Sequence, residues 1–346
     1  MLYDADKLKD FTAKIMQKSG LNKEDSVLFA ESLVNADMRG ISSHGLTRLT
    51  AYSRRLHDGL VAANVRPQIL QDGGSLLLID AKNGMGVVTA YYAMDICINR
   101  AKEKGSCFAA VRGGNHFGYA AFFTEYAASK GMIGITLANS PAAMPPTGGV
   151  DPILGTNPIA ISIPAMRYHP PTLDMATSIV ARGKITLAKK EGRQIPADWA
   201  VDDRGVPTTD PAKVNAVLPV GGPKGYGLSL MVEIFCSCLS GALNGQKMGS
   251  FYDYNTIQQS GFFVGALNVE SIMPLDDFKK EVDALIDSIK SARRAPEVSE
   301  IMIPGEIEYN NYEIAQRKGI QLSDEIIKEL EALAKQYNVP FDCYHS

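Results

Sequence analysis

The stretch VRGGNHFGYAAFFTEYAASKG, residues 111–131, places His116 between an apolar strand pattern and a helical one, with Gly113, Gly114 and Gly118 around it. Histidine is the side chain whose ordinary pKa lies nearest neutrality, so it can take and return a proton. Glycine lets a bound group approach the backbone, and strand-to-helix loops at a sheet edge are where α/β folds hold their ligands. A second histidine, His44, lies in RGISSHGLTRLTAYSRRL. At about 100° per residue, His44, Arg48, Tyr52 and Arg55 fall in one sector of a helix, away from the stripe of Leu46, Leu49 and Leu56. Such a sector alone is ordinarily a solvated helix face, but arginine also presents a planar two-donor fork that fits a carboxylate. In VLPVGGPKGYGLSL, Pro223 suits the first turn of a helix, and Lys224 then stands with the backbone donors of residues 224–227 at its positive end. That is either a phosphate or ribose site or a solvated lysine beside a turn, and the spacing does not choose between them. The inventory as a whole suits proton abstraction from a hydroxyl coupled to hydride transfer.

These residues must be carried by a large core. The chain has 346 residues, 45% of them hydrophobic, which predicts two or three packed subdomains. Thirty-five basic and thirty-eight acidic residues leave a net charge of −3 without a basic block, which argues against nucleic acid and for small neutral or anionic ligands. The opening residues MLYDADKLKDF lack the basic segment and apolar core of a signal peptide. GYGLSLMVEIFCSCLSGA is interrupted by Glu233 and lacks charged flanks, so it is read as a buried helix and not a membrane span. Cys97, Cys107, Cys236, Cys238 and Cys343 show no metal-ligand spacing; no metal site is expected, and the reading is of reduced, buried thiols in a cytoplasmic protein.

Helices are expected first: one opening at Asn22, with Val27, Ala30, Val34 and Met38 on its inner stripe and Gly40 at its end, and a second capped by Ser43 and stopped at Asp58–Gly59. From residue 75 the pattern alternates. SLLLID, CFAAV, IGITLA, IAISIP and TLDMA read as strands among helices, GFFVGALNV and SEIMIPG as two late strands, and residues 324 onward as a helix capped by Ser323. LLLIDAKNGMGVVTA resembles a Rossmann start, yet its third small position falls at Thr89 and no acidic residue ends a strand about twenty residues on. Gly84-x-Gly86 is therefore read as a structural turn. A dinucleotide, if bound, is bound without the usual fingerprint.

ADMRGISSHGLTRL, GGNHFGYAAFF, GTNPIAISIP, LDMATSIVARGK and GGPKGYGLSLMVEIF, in this order, resemble the type-2 malate/L-lactate dehydrogenase family, which includes ureidoglycolate dehydrogenase, sulfolactate dehydrogenase, diketogulonate reductase and a cyclic imine reductase. The resemblance runs nearly end to end. It implies an α/β, non-Rossmann mixed-sheet fold that binds NAD(P), a helical subdomain formed by both chain ends, and an active site completed in a homodimer. The divisions expected are 1–74, a core of 75–309 with its NAD(P)-binding part at about 120–230, and 310–346. The resemblance makes His116 the proton acceptor in alcohol oxidation, sets His44 beside it and puts Arg48 on the substrate carboxylate. In some members His44 moves the proton, and both assignments stand. Cofactor positions carry over to Ser140, to Asp174, Met175 and Ala176, to Lys224 with Gly225, and to Gly305, Glu306 and Ile307. NAD is expected. NADP stays open, because Arg167 and His169 add positive charge near these motifs and Asp174 disfavours a 2'-phosphate only where it faces the adenosine ribose. A small L-2-hydroxyacid is the expected substrate, malate or lactate first and ureidoglycolate next. Arg55 lies two turns beyond Arg48, about 10 Å at 1.5 Å per residue, too far to meet the other end of malate, so Tyr52 or a loop donor is expected there. Reduction of a cyclic imine acid is the enzymatic alternative. A catalytically silent dinucleotide-binding protein is the other; His44, Arg48, His116 and Lys224, all present, speak against it.

Overall fold

Residues 2–345 are described in the computed structural model of the chain. It opens with β1 (Leu2–Tyr3), α1 (Ala5–Ser19) and α2 (Lys23–Met38), then two 3-10 turns (Ser42–His44 and Leu46–Arg48) that lead into α3 (Leu49–His57). The core follows as β2 (Gln68–Asp72), β3 (Leu76–Asp80), α4 (Gly86–Lys104), β4 (Ser106–Gly114), α5 (Ala121–Ser129), β5 (Met132–Ala138), β6 (Ile159–Ser162) and β7 (Thr172–Met175). After α6 (Arg182–Lys190), β8 (Ala200–Val201) and β9 (Ala216–Val217), helix α7 (Pro223–Glu233) runs into a π-helical turn (Ile234–Cys238). The chain closes with β10 (Ser260–Asn268), α8 (Leu275–Lys290), α9 (Glu306–Lys318), β11 (Ile320–Gln321) and α10 (Asp324–Tyr337).

The main sheet has seven strands in the order β2-β3-β4-β10-β5-β6-β7. Only β3 and β4 pair in parallel, and every other neighbour is antiparallel. A Rossmann sheet is a series of parallel neighbours joined by crossovers, so the mixed, non-Rossmann fold is what the chain adopts. The central strand β10 is buried along most of its length, whereas β5 alternates buried and half-buried positions, the period-2 pattern of a strand covered more fully on one face.

A second core joins the two chain ends. Leu8 and Ile15 of α1, Phe29 and Leu33 of α2, Leu49 and Tyr52 of α3, and Leu330 and Leu333 of α10 form one apolar cluster. Strand β1 pairs with β11, setting Tyr3 opposite Ile320. Asn22 caps α2 by accepting from the Asp25 N–H at 2.9 Å, and Ser323 caps α10. The division at 309/310 lies inside α9.

Five expectations are corrected. Val27 is not on the inner face of α2 but 52% exposed. The helix expected from Ser43 is two 3-10 turns before α3 begins at Leu49, because the Asp37 carboxylate caps the Leu46 N–H at 2.7 Å and restarts the chain there. SEIMIPG forms no strand: Pro304 and Gly305 end the run, and its one bond to the sheet is from Thr172 N–H to the Pro304 carbonyl. The apolar helix at 223–238 is not buried all round, since Leu228, Met231, Phe235 and Leu239 are each 40% or more exposed. Cys238 is exposed, while the other four thiols are buried and all five are free.

Candidate active site

The His116 loop is seated on the half-fingerprint. A Cβ on Gly86, at the start of α4, would lie 2.2 Å from the carbonyl oxygens of both Asn115 and His116. The glycine thus lets the loop after β4 pack against the helix start, and Asn115 secures it by donating to the Gly84 carbonyl at 2.9 Å and the Asn83 carbonyl at 3.0 Å. From the other side the buried Gln258 accepts the His116 N–H at 2.9 Å. The turn reading of Gly84-x-Gly86 gains a purpose: it positions a histidine, not a pyrophosphate.

The two 3-10 turns bring the second histidine over the first. The rings of His44 and His116 lie nearly parallel, 13° apart, with centroids 5.6 Å from each other. Arg48 donates from Nε to the Ser43 carbonyl at 2.7 Å and from its terminal nitrogen to the Tyr252 hydroxyl at 2.6 Å. Burial, with Arg48 beside it, lowers His44 to about 4, and burial followed by the fields of His44 and Arg48 holds His116 well below the ordinary imidazole range. Asp37, which caps the turn that carries Arg48, is pushed by burial up to about 7. Gly45 is required there, since a Cβ would sit 2.3 Å from the Asp37 carboxylate. Asp37 lies within ADMRGISSHG, but neither its spacing nor its type marks it as the brace of that turn.

Tyr52 is 1% exposed, and its hydroxyl is bonded to His116 Nδ1, so it reaches any substrate only through that ring. Phe251 packs against both, its ring 4.8 Å from each of theirs. Arg55 is fully buried and donates to the carbonyls of Phe251, Asp253 and Thr256 at 3.3, 2.5 and 3.0 Å. Its charge therefore holds the loop that supplies Phe251 and Tyr252, away from the pocket. Phe251, Tyr252 and Gln258 are site residues that sequence reasoning missed, because nothing local ties a loop 200 residues away to His44.

The expected cofactor positions are strung along β7, at the edge of the sheet. At one end the Thr172 N–H meets the Pro304 carbonyl, and Gly305, with φ of +88°, fits where a Cβ would lie 2.9 Å from Thr172. Midway, Asp174 accepts the Ala121 N–H at 2.8 Å, five residues after His116, which joins this ledge to the catalytic loop. Asp174 is an exposed residue, and desolvation by the protein around it pushes its carboxyl up to about 6. Met175 and Ala176 continue to Thr177, whose carbonyl accepts the Val220 N–H at 2.9 Å. A Cβ on Gly225 would lie 2.2 Å from the Val220 carbonyl and 3.0 Å from that of Thr177, so glycine lets the start of α7 close on the segment that follows β7. Lys224 is exposed there beside Gly221 and Gly222, around which the space is open.

Ser140 joins the same neighbourhood. Its Oγ accepts the Thr156 N–H at 2.9 Å and its own N–H donates to Asn157 Oδ1 at 3.0 Å. Asn157 and Asn139 in turn donate to the two oxygens of the buried Glu233, at 2.9 and 3.0 Å. Glu233, read only as a bar to membrane insertion, anchors the Ser140 turn. Glu306 is engaged by Lys290 Nζ at 2.7 Å and by the Ile303 N–H at 2.8 Å, and Ile307 is 55% exposed. The Arg167 charge is met by Asp283 and Asp287 at 3.1 and 2.6 Å. The remaining donor set fits a dinucleotide: a cation at a helix start, an available carboxylate and a hydroxyl, on a ledge opened by glycines.

The malate/L-lactate dehydrogenase family model matches residues 3–331. Malate dehydrogenase of Pyrococcus horikoshii is 38% identical, over 96% of this chain and 95% of its own. L-sulfolactate dehydrogenase of Methanocaldococcus jannaschii is 37% identical over 99% of both. The crystal structure of malate dehydrogenase from Entamoeba histolytica superposes with a TM-score of 0.94 at 31% identity, covering 99% of each chain. With a mixed sheet that lacks the Rossmann series and two stacked histidines beside an arginine, the chain belongs to the malate/L-lactate dehydrogenase family and is a hydroxyacid dehydrogenase.

Proposed function

We propose that this enzyme oxidises a small L-2-hydroxyacid, malate first, with NAD as the cofactor and NADP as the variant to be tested beside it. The observation that carries the reading is the parallel stack of His44 on His116 with Arg48 at its rim. A hydroxyacid needs two things from a protein: a fork for its carboxylate and a group that takes the hydroxyl proton. Arg48 is the fork. Its 2.6 Å bond to the Tyr252 hydroxyl gives way to, or is shared with, the carboxylate on binding. His44 and His116 stand on the side where the hydroxyl then lies. Malate leads because relatives that cover nearly the whole chain are named malate and L-sulfolactate dehydrogenase, both for acids with a second anionic group. Lactate and ureidoglycolate follow.

NAD(P) held along β7 would supply the carbon that accepts the hydride. Lys224 and the start of α7 would meet its phosphates, while Asp174 and Ser140 would meet its hydroxyls. Met175, Ala176, Gly225, Gly305, Glu306 and Ile307 shape the ledge. In this reading residues 1–74 and 310–346 close the pocket against the 75–309 core, whose part near 120–230 carries most cofactor positions. The exposed strip of Leu228, Met231, Phe235 and Leu239 supports a homodimer, since monomers rarely leave such a strip in water. Five free thiols suit the reducing cytoplasm. The test is oxidation of L-malate followed by nicotinamide absorbance, with light scattering on the same sample: turnover by a particle of twice the 37.4 kDa chain mass is the expected result.

A further inference from the structure

The loop between the π-helical turn and β10 sets an exposed aromatic beside the arginine of the pocket. Arg48 donates to the Tyr252 hydroxyl at 2.6 Å, and Tyr252 is 56% exposed. A guanidinium carries donors and no acceptor. The Tyr252 oxygen therefore accepts in that bond, and its own proton is left to be given to another group. Accepting from a cation also polarises the O–H and makes it a stronger donor. Arg48 spends its Nε on the Ser43 carbonyl and one terminal nitrogen on Tyr252, and neither bond uses the other terminal nitrogen. The Tyr252 ring is held too, with the Arg48 guanidinium carbon 5.1 Å from its centroid. The loop has this shape before any ligand arrives. Arg55, fully buried, donates to the carbonyls of Phe251 and Asp253, the residues on either side of Tyr252. The Asp253 carboxylate is turned to the Asn255 N–H at 2.9 Å and to the Thr256 hydroxyl at 2.7 Å, so carbonyls take up the buried guanidinium. Taking a cation out of water is costly, and what this one secures is the backbone that carries Tyr252.

Within the hydroxyacid reading above, on which this inference rests, we propose that Tyr252 is a substrate-binding residue: its hydroxyl, held by Arg48, donates to the same carboxylate that Arg48 binds. A separation of 2.6 Å is too short for the two groups to serve opposite ends of malate. They converge instead on one carboxylate, and their bond is kept when the acid binds. The carboxylate then accepts from the guanidinium and from the phenol together, two kinds of donor that suit its two oxygens. An amide in the same place offers one oxygen and no charge, and leaves a donor unpaired, so Tyr252 with Arg48 selects acids over their amides.

The test is a calorimetric titration of the full-length protein, loaded with NADH, with oxamate, which carries a single carboxylate beside a carbonyl. Tyr252→Phe keeps the ring and its contact with Arg48 and removes only the hydroxyl. It should bind oxamate about tenfold more weakly than wild type, with NADH affinity unmoved. In an Arg48→Ala background, Tyr252→Phe should weaken oxamate further, because the hydroxyl meets the ligand itself. Initial rates supply the second arm: Tyr252→Phe should raise KM for L-malate about tenfold while kcat changes far less, the pattern of a contact made equally in ground and transition states. Unchanged oxamate affinity in Tyr252→Phe, or oxamate that fails to bind wild type, overturns the proposal. So does a loss that vanishes once Arg48 is removed, since the hydroxyl then acts only through the guanidinium. A malate defect without an oxamate defect moves the hydroxyl to the far carboxylate and equally contradicts the shared site. Should wild type turn over no hydroxyacid at all, the functional reading fails while the oxamate titration still decides whether Tyr252 meets a carboxylate.

Discussion

The histidine pocket and the β7 ledge are built by opposite means. The pocket is assembled from side chains that hold one another: His116 by Tyr52, Gln258 and Phe251, Arg48 by Tyr252, and the 250–256 loop by the buried Arg55. The ledge is assembled mainly from backbone. Gly305 sets a loop against β7 and Gly225 closes the start of α7 on the Val220 loop, each where a Cβ would collide, and Lys224 extends into solvent. A group that must transfer a proton needs a fixed place, and packing supplies it before any ligand arrives. A surface that accepts an extended, charged cofactor needs room and donors instead. The two regions meet at Asp174, which accepts the Ala121 N–H from the start of α5.

If the pocket is where the chemistry resides, its substitutions should strike turnover and those on the ledge should strike affinity. The largest effect is expected from removing a histidine of the stacked pair: whichever of His44→Ala and His116→Ala removes the general base lowers kcat for malate oxidation by roughly 10²–10⁴-fold, the usual worth of such a group. The pH profile sharpens this. If His44 takes the hydroxyl proton, its neutral form is the active one, and since burial lowers it to about 4, kcat/KM should hold across neutral pH and fall as pH drops through about 4. His44→Ala should lack that limb, and stopped-flow rates in pH-jump buffers would reveal it. Next comes Arg48→Ala, which should lower kcat/KM by roughly 10- to 150-fold through the lost charged contact, read in initial rates at low malate. Lys224→Ala should weaken NADH by a similar roughly 10- to 100-fold in a fluorescence titration, yet turn over normally at saturating cofactor. The smallest is Gly86→Ala, a clash with the Asn115 and His116 carbonyls that should cost about 1–3 kcal/mol in denaturant unfolding. It should depress kcat more than NADH affinity; equal losses in both would erase the distinction between the two regions.

That contrast also explains what could be read before the structure. His44, Arg48 and His116 announce themselves by residue type, and the structure brings the three together. The helices at Asn22 and Ser323 announce their starts by caps that do form. The mixed sheet was legible only as an absence, a fingerprint half made. Its order depends on β10 inserting between β4 and β5, a pairing across more than 120 residues that no local pattern carries. The 3-10 turns were illegible for a similar reason, because Asp37 imposes them from another helix. SEIMIPG has the composition of a strand, but lies where the sheet offers it one hydrogen bond. α8 was passed over although its Asp283 and Asp287 neutralise Arg167, one of the two charges that had kept NADP in view. The ledge was reached through the family motifs alone: nothing in a glycine's neighbours in sequence says which carbonyl will lie 2.2 Å from its missing Cβ.

The most direct measurement is a substrate panel on the purified protein: L-malate, L-lactate, ureidoglycolate and sulfolactate, each with NAD and with NADP, followed by nicotinamide absorbance, beside reduction of a cyclic imine acid with NADH and NADPH. The account predicts that at least one L-2-hydroxyacid, malate before lactate, is oxidised with kcat/KM well above the imine's, and that loss of the histidine that takes the proton lowers its kcat by roughly 10²–10⁴-fold. Robust imine reduction with no hydroxyacid turned over under either cofactor would contradict it.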